Sequence, residues 1–507
     1  VYKRQVSTPA YTGERAEDLI EFFDAEGNKI NYLTTIETGA TIEIDSYKHH
    51  HMYGFNLEND DTHEPLDGTF TYHSNNENVA TVVNGVITAG THTGTAIITI
   101  THDSGITSEI SVTVTQAGRT ATPMVAGGSE FAVALLDNGE VWTWGSNEKG
   151  QLGNGLTENT TYPVQVSLPE GVKAKYVAAG INTAYAVTTD GYVYAWGNNE
   201  NGMIGNGTSD KDEVNRTPVR VQEKTSTGVL VDLSNIARIA VGENHVLALS
   251  TDGYVYAWGN NSNGQLGNGD TSSTNEKFHD NDTTDGIYAA QKVYRGESAA
   301  TNDDWYIQDV IDIAAGKSFS VALKADGTVW TWGYNVAGQL GNNSTADSLI
   351  PVQVLGGATG NQYLTNVVQV AAGGTFDGGN RYYALALREN GTVWAWGDNS
   401  YGQLGIGVKG NPTDSSKTSC LTPMQVVTGE QDSSSTYLED IIQISAGPTF
   451  AMALDRKGNV YTWGQNNVGQ LGNNTNTDSN APVRVSGGLA YTVYLDDVIP
   501  VSYTHLR

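Results

Sequence analysis

Two short stretches of the sequence carry side chains that could bind phosphate. Gly316-Lys317-Ser318 ends like a phosphate-binding loop, in which the lysine and the hydroxyl contact phosphate oxygens and a divalent cation. That motif requires a glycine five positions before Gly316, and Ile311 stands there. The same place reads "GIN", "GEN" and "GPT" in related segments of the chain, so we interpret this stretch as a turn between strands.

Two further stretches could bind a metal ion. His49–His51 offers three imidazoles, but successive residues of a strand point to opposite faces and converge poorly on one ion. We therefore expect a surface strand or loop there. Asp280, Asp282 and Asp285 lie in "DNDTTDG", which loosely resembles a calcium loop. The glycine comes one place late and Gln291 stands where a bidentate glutamate belongs, so we favour a solvated loop, with calcium binding as the alternative.

The sequence offers no signature of catalysis. No nucleophile elbow, zinc signature or Cys-His pairing is visible, and Cys420 is the only cysteine, so an intrachain disulfide is impossible. A glycosidase-type pair of carboxylates stays open because the chain has 56 acidic residues. We expect a protein that is not an enzyme and that carries no cofactor.

Charge and hydropathy exclude two classes of partner. The net charge is −29, with 27 basic residues, and no cluster of Lys and Arg could contact a phosphate backbone. No apolar run approaches the roughly 18 residues of a membrane span. We therefore expect neither nucleic-acid binding nor membrane insertion within this segment.

One unit of sequence recurs six times and predicts the fold. The string "TDGYVYAWGNN" stands at 189–199 and again at 251–261, and related cores surround six Trp-Gly pairs. Each unit contains four short runs of β-branched or alternating residues, with hairpin signals such as Asp190-Gly191. Four-stranded sheets that repeat must stack as blades to cover both faces. The tryptophans predicted to fill the core between blades are Trp144, Trp196, Trp258, Trp332, Trp396 and Trp463.

The repeated pattern "AAGxxxxxAL…DGxVWxWGxNxxGQLGxG…PVxV" resembles the regulator of chromosome condensation repeat over residues 124–499. The resemblance implies an all-β chain with a β-propeller at 124–500, normally of seven blades. In that family a histidine usually precedes the second strand, and here only His245 occupies that place. "YLDDVIPV" after the sixth repeat parallels "YLEDIIQI" at 437–444, so we expect six repeats of a truncated seven-bladed ring in a longer multidomain chain.

The segment before the repeats is predicted to be a second β domain. Residues 74–99 resemble the bacterial immunoglobulin-like group 2 domain, which implies an Ig-like β-sandwich over 30–116, followed by a linker at 117–123. Residues 1–29 stay unassigned, with a possible short helix in "ERAEDLIEFF". The letters at 1–5 and 501–507 resemble translated sequencing adaptors and are left out of the fold prediction.

Together these features favour a non-catalytic binding or adhesion module of a bacterial secreted or cell-surface protein, with a protein or glycan ligand. The most distinctive loop spans 271–306 and carries the aromatic residues Phe278, Tyr288, Trp305 and Tyr306. Aromatic side chains in a long polar loop could anchor a partner, or they could pack the loop onto its own blade. The first alternative function is a secreted propeller that inhibits an enzyme such as a β-lactamase. A less favoured one is guanine-nucleotide exchange, the founding activity of the family.

Overall fold

The computed structural model describes most of the repeat region and parts of the segment before it. The described residues are 17–23, 29–30, 33–37, 41–43, 45–51, 69–90, 92, 94–103, 107–115, 121–209, 214–225, 229–271, 288–296, 305–357, 362–374, 381–414, 416–487, 494–495 and 498. The chain divides into two compact units, one of residues 1–119 with 502–507 and one of residues 120–501. Among the described residues, no helix is long and apolar enough to span a membrane.

The described residues of the first unit form ten strands in three sheets. The strands are β1 (Glu17–Phe23), β2 (Lys29–Ile30), β3 (Leu33–Glu37), β4 (Thr41–Glu43), β5 (Asp45–His51), β6 (Phe70–Ser74), β7 (Ala80–Val83), β8 (Val86–Ala89), β9 (Gly94–His102) and β10 (Thr107–Thr115). The sheet orders are β2-β1-β5, β3-β10-β9-β6 and β4-β8-β7. The core joins the last two sheets, since Ile87 of β8 packs with Ile98 of β9 and Val112 of β10. The assignment of an Ig-like domain stays a prediction.

Two details of this unit bear on the sequence predictions. The possible helix near residue 20 is wrong, because Glu17–Phe23 forms a strand that pairs antiparallel with Asp45–His51. Pairing along the whole of both segments satisfies the backbone groups that a short helix would have satisfied internally. His49–His51 lies within that strand.

Within the part of the second unit that the structure describes there are six four-stranded antiparallel sheets, which we call blades 1 to 6 in chain order. Blade 1 is β11 (Met124–Gly127), β12 (Phe131–Leu135), β13 (Val141–Gly145) and β14 (Thr160–Gln165). Blade 2 is β15 (Ala174–Ala179), β16 (Thr183–Thr188), β17 (Val193–Asn198) and, after the short β18 (Asn206–Gly207), β19 (Val214–Arg220). A hairpin of β20 (Gln222–Lys224) and β21 (Leu230–Asp232) follows blade 2.

Blade 3 is β22 (Ile236–Val241), β23 (His245–Ser250), β24 (Val255–Gly259) and, after the short β25 (Tyr288–Ala289), β26 (Gln291–Lys292). Blade 4 is β27 (Val310–Ala315), β28 (Phe319–Lys324), β29 (Val329–Gly333) and β30 (Ser348–Gln353). Blade 5 is β31 (Val367–Gly373), β32 (Tyr383–Arg388), β33 (Val393–Asp398) and β34 (Ser419–Gln425). Blade 6 is β35 (Ile441–Ala446), β36 (Phe450–Asp455), β37 (Val460–Gly464) and β38 (Ser479–Arg484). The one helical element among the described residues is a 3₁₀ turn, Glu200–Gly202.

The blades are held together through buried side chains between successive sheets. Continuous clusters of buried residues join blades 1 and 2, blades 2 and 3, blades 4 and 5, and blades 5 and 6. First strands of neighbouring blades contact each other, as β27 contacts β31. This contact explains the small residues of the "AAG" segments, since bulky side chains would not fit between adjacent first strands.

Blades 1 and 6 each have one face that is less covered than the faces of the inner blades. The first five residues of the second strand are all buried in blades 2 to 5. In blade 1, by contrast, Ala132 and Ala134 are half-buried, and in blade 6 Met452 is 37% exposed. Alternate residues of a strand point to opposite faces of the sheet. The less covered positions are the second and fourth of the strand in blade 1 and the first and third in blade 6, so the two blades are less covered on opposite faces. The expected number of seven blades stays a prediction.

Candidate functional site

The asparagine that stands two residues after the glycine of each Trp-Gly pair has a buried side chain with a structural role. In blade 4 the Oδ1 of Asn335 accepts the main-chain N–H of Leu340 at 3.0 Å, while its Nδ2 donates to the carbonyl of Ser344. Burying such an amide without partners would cost free energy, so its role is to hold the loop. The same bond recurs in every blade, as Asn147 with Leu152, Asn199 with Ile204, Asn261 with Leu266, Asn399 with Leu404 and Asn466 with Leu471.

Each fully buried repeat tryptophan is bonded to the preceding blade. The indole Nε1 of Trp332 donates to the carbonyl of Gln265 at 2.9 Å. Equivalent bonds of 2.8 to 2.9 Å join Trp196 to Gln151, Trp258 to Met203, Trp396 to Gln339 and Trp463 to Gln403. All five indoles are 0% exposed, whereas Trp144 of blade 1 is half-buried. These residues fill and lock the core, which leaves them no part in binding a ligand.

Buried polar residues also join the first strands. Nη1 of Arg238 in blade 3 lies 2.5 Å from Oδ1 of Asp312 in blade 4, and Asp312 in turn accepts the N–H of Val370 in blade 5 at 3.3 Å. Gln369 makes two bonds to the main chain of Ile444 in blade 6. Asp312 is only 1% exposed. This carboxylate is therefore engaged in blade-to-blade contacts.

A second set of recurring contacts lies at the other edge of each blade, between the third and fourth strands. In blades 2, 3 and 6 a tyrosine of the third strand faces a basic residue, in the pairs Tyr194–Arg220, Tyr256–Lys292 and Tyr461–Arg484. In blades 1, 4 and 5 a tryptophan faces a glutamine instead, in the pairs Trp142–Gln165, Trp330–Gln353 and Trp394–Gln425. The cations of Arg220 and Lys292 lie 5.4 and 5.6 Å from the ring centroids of their strand partners, within the range of cation–π attraction. Each cation lies closer, at 4.0 Å, to a second tyrosine of the same blade, Tyr192 or Tyr254. These pairs stabilise the blade edges.

One cavity lies where residues depart from the repeat. It has a volume of about 260 Å³ and lies beside the fourth strand of blade 3 and the hairpin that follows blade 2. The hairpin is tied to blade 3 because Glu223 bridges Ala290 and the N–H of Ala290 donates to the carbonyl of Gln222. We call this cavity the rim pocket, and it is lined by Glu223, Lys224, Thr225, Asn268, Ala289, Ala290, Gln291, Lys292, Tyr294 and Tyr306.

Two tyrosines form the aromatic part of the rim pocket. The rings of Tyr294 and Tyr306 stack with their centroids 5.8 Å apart and their planes 21° apart, and their backbones form an antiparallel bridge. The same bridge recurs as Leu355 with Tyr363, Val427 with Tyr437 and Ser486 with Tyr494. The second residue of each of these four bridges is therefore a tyrosine. The first residue is aromatic only in the bridge of blade 3, where it is Tyr294.

The charged groups of the rim pocket act on one another. Burial raises the pKa of the Glu223 carboxyl, and the nearby Lys292 ammonium and Tyr256 hydroxyl partly offset that rise. Burial likewise raises the pKa values of Tyr294 and Tyr256. The Lys292 ammonium lies over the Tyr254 ring and 5.6 Å from the centroids of Tyr256 and Tyr306. The pocket thus combines stacked rings with one carboxylate and two lysines, Lys224 and Lys292, and the ammonium of Lys292 is already held by aromatic faces.

The aromatic residues of the loop at 271–306 differ in location and in exposure. Tyr306 lines the rim pocket, and Trp305 next to it is 55% exposed. Tyr288 is half-buried in β25, which pairs with β18 of blade 2 beside Gly202. Phe278 and the candidate calcium ligands Asp280, Asp282 and Asp285 lie outside the described residues.

Other candidate groups are occupied or buried. Gly316-Lys317-Ser318 lies between β27 and β28, as the turn interpretation predicts, and the Lys317 ammonium lies 3.0 Å from Glu243. The Cys420 thiol is buried, and burial raises its pKa to about 12, so the thiolate is disfavoured. Within the described residues, no group of three or more His, Cys, Asp or Glu side chains is arranged to hold a metal ion.

Sequence reasoning did not identify Glu223, Lys292 and Tyr294. The available signal was the departure from the repeat: an aromatic residue stands at 294 where blades 4, 5 and 6 have Leu355, Val427 and Ser486. Glu223 carried no such signal, because it reaches the pocket through a hairpin that belongs to the blade before.

Comparison with known proteins agrees with this architecture. The RCC1-like domain matches residues 120–502. Ultraviolet-B receptor UVR8 of Arabidopsis thaliana is 28% identical over 356 residues, which make up 70% of this chain and 68% of UVR8. E3 ubiquitin-protein ligase HERC2 of Homo sapiens is 29% identical over 365 residues, which make up 71% of this chain and 6% of HERC2.

A solved structure shows the same relationship. The crystal structure of Kap60 bound to yeast RCC1 (Prp20) contains a chain that is 25% identical to this one, with a TM-score of 0.54. The similarity covers 72% of this chain and 75% of that chain. Since the matched domain covers well over half of the residues and coincides with the six blades, this chain belongs to the RCC1-like domain family.

Proposed function

We propose that this chain is a non-catalytic binding module of a bacterial secreted or cell-surface protein. Its rim pocket receives a protein or glycan ligand. The observation that carries the proposal is the rim pocket, where the stacked Tyr294 and Tyr306 meet Glu223 from the neighbouring hairpin. A concave site with aromatic walls and a few polar groups is the usual form of a ligand site.

The recurring polar contacts support a binding role over a catalytic one. Buried polar side chains are the residues that could otherwise act in catalysis. Those of Asp312, Gln369 and the repeat asparagines are bonded to main-chain groups or to partner side chains. The RCC1-like domain is also shared by proteins whose names denote different activities, a light receptor and a ubiquitin ligase. A rigid scaffold that displays variable surface features accounts for both observations.

One feature supports an extracellular setting. The sequence of residues 74–99 resembles domains that act as spacers in bacterial surface proteins, and that region forms two packed sheets here. The protease accessibility of the chain in intact producing cells tests this setting, and resistance that is lost only after lysis would contradict it.

The binding role is tested by measuring association of the full chain with purified bacterial envelope polysaccharides and extracellular-matrix proteins by surface plasmon resonance. We expect saturable binding to at least one of them, weakened in Tyr294→Leu. Tyr363→Leu is the matched control, because Tyr363 occupies the place of Tyr306 in blade 4 but bridges Leu355. Absence of saturable binding, or equal loss in the two variants, would contradict the proposal.

A further inference from the structure

We infer that the rim pocket recognises a pyranose ring of a glycan that carries no cationic group; this inference rests on the proposed binding function and names the ligand class. The rim pocket lies between blade 3 and the hairpin after blade 2, and two of its walls are specific to this place in the chain. One wall is the stacked pair Tyr294 and Tyr306, and the other carries Glu223.

The size of the rim pocket limits the ligand. Its volume of about 260 Å³ lies below the roughly 300–1,000 Å³ of pockets that enclose drug-sized molecules. A single sugar ring or one side chain fits such a space, whereas a nucleotide does not. A longer ligand would therefore place one terminal or branching unit in the pocket and leave the remainder outside.

The charges exclude a cationic ligand. The Lys292 ammonium already occupies the position over the tyrosine faces, 4.0 Å from the Tyr254 centroid and 5.6 Å from that of Tyr306. A ligand ammonium would have to enter beside it and would be repelled. Arg220 makes the same contact with Tyr192 in blade 2, so the ring-bound cation belongs to the blade edge.

The charges of the rim pocket do not select between a neutral and an anionic sugar. Glu223 brings a carboxylate to the pocket lining, whereas Lys224 and Lys292 bring two ammonium groups, of which that of Lys292 is held by the tyrosine rings. The feature that the pocket can recognise is therefore the pyranose ring, which neutral and acidic glycans share.

The remaining chemistry matches a sugar. A pyranose has an apolar face of C–H groups that packs on aromatic rings, and hydroxyls at its edge that donate to a carboxylate. In the rim pocket the tyrosine rings can contact the C–H face of the sugar, and Glu223 can accept from its hydroxyls. Gln291 adds an amide that is positioned by the bond from Nδ2 of Asn268 to its Oε1, at 3.1 Å. Trp305, 55% exposed and adjacent to Tyr306, offers a further ring to a second sugar unit.

The test is an array of immobilised glycans that carries neutral hexose and N-acetylhexosamine oligosaccharides, sialylated and sulfated glycans, and a choline surface. We expect the full chain to bind one or more glycans of the neutral or anionic sets and not the choline surface. Glu223→Gln should weaken that binding about tenfold, the loss of one charge-assisted hydrogen bond. Tyr363→Leu should leave it unchanged, and the melting temperatures of both variants should match that of the wild type.

Three results would overturn the inference: binding confined to choline, glycan binding that is indifferent to Glu223→Gln, or no glycan binding. The last result separates the two proposals. If a matrix protein still binds in a Tyr294-dependent manner, the pocket is a protein site and only the glycan inference fails. If neither polysaccharide nor protein binds, the proposed function fails too.

Discussion

The indole N–H of Trp332 in blade 4 donates to the carbonyl oxygen of Gln265 in blade 3 at 2.9 Å. The hydroxyl of Ser320 donates to the same oxygen at 2.8 Å. One main-chain carbonyl thus receives two bonds from the next blade, so the loop that carries Gln265 cannot move without breaking the interface between blades.

Replacing Trp332 by phenylalanine should lower the free energy of unfolding by about 2 kcal/mol or more, because the indole hydrogen bond and part of the buried surface are lost. The matched variant is Trp144→Phe, since Trp144 is the half-buried tryptophan of blade 1. It should cost less than half as much. Urea unfolding measures both values, and equal costs would show that blade-to-blade burial does not determine the contribution of these residues.

Gly267 tests how closely the blades approach. Its φ is +65°, and a β-carbon there would lie 2.8 Å from Nε1 of Trp332, closer than real contacts allow. Gly472 in blade 6 has φ of +63°, but its nearest neighbour would be Val485 at 3.1 Å. Gly472→Ala should therefore cost about 1–2 kcal/mol from backbone strain alone, and Gly267→Ala about 2 kcal/mol more from the clash. Thermal unfolding that ranks them equally would contradict the described packing.

His245 gives the protein a specific sensitivity to acid. Burial lowers the pKa of its imidazole to about 3, and its Nε2 lies 3.0 Å from the Ser320 hydroxyl. Because that hydroxyl already donates to Gln265, Nε2 carries a proton and donates to Ser320. The lowered pKa keeps the native imidazole neutral at neutral pH, with Nδ1 unprotonated. The unfolded chain binds a proton below its ordinary pKa of about 6.5, while the folded chain does not until about pH 3.

The native state should therefore lose stability as the pH falls from about 6.5 towards 3, with a slope that approaches about 1.4 kcal/mol per pH unit for this one proton. His245→Phe removes the effect, and phenylalanine fits because blades 1 and 4 have Phe131 and Phe319 at this position. The measurement is the denaturant midpoint of both proteins at pH 7 and pH 4.5. A variant that loses as much stability as the wild type would contradict the assignment.

Arg220 and Tyr194 should behave as a matched pair at the outer edge of blade 2. Arg220 lies over the rings of Tyr192 and Tyr194, and its Nε donates to the Tyr194 hydroxyl at 3.1 Å. Arg220→Gln should destabilise the protein by about 0.5–1 kcal/mol. Adding Tyr194→Trp should restore part of the loss, because blades 4 and 5 pair tryptophan with glutamine here. A double-mutant cycle without coupling would count against this pairing rule.

The sequence predicts the repeated parts of this molecule better than the unique ones. The recurrence of the Trp-Gly pairs predicts blades, because six copies of one pattern identify the positions that every repeat needs for its fold. The carbonyl partner of Trp332 could not be predicted, because every residue has a main-chain carbonyl and residue type therefore does not indicate which one accepts the bond. The rim pocket itself was not predicted. Tyr306, one of its lining residues, belongs to the loop that the sequence marks as distinctive, and its role in binding stays a prediction. Glu223 comes from another blade and is brought there by the bridge to Ala290.

We propose that the rim pocket, with the tyrosines specific to blade 3, forms the binding site. Isothermal titration calorimetry of the full chain with an oligosaccharide selected on the array tests this proposal most directly, in wild type, Tyr294→Leu and Tyr363→Leu. Leucine is tolerated at position 294 because Leu355 is the equivalent residue of blade 4. We expect Tyr294→Leu to weaken binding about tenfold or more, with Tyr363→Leu indistinguishable from wild type. Equal affinities in all three proteins would contradict the claim.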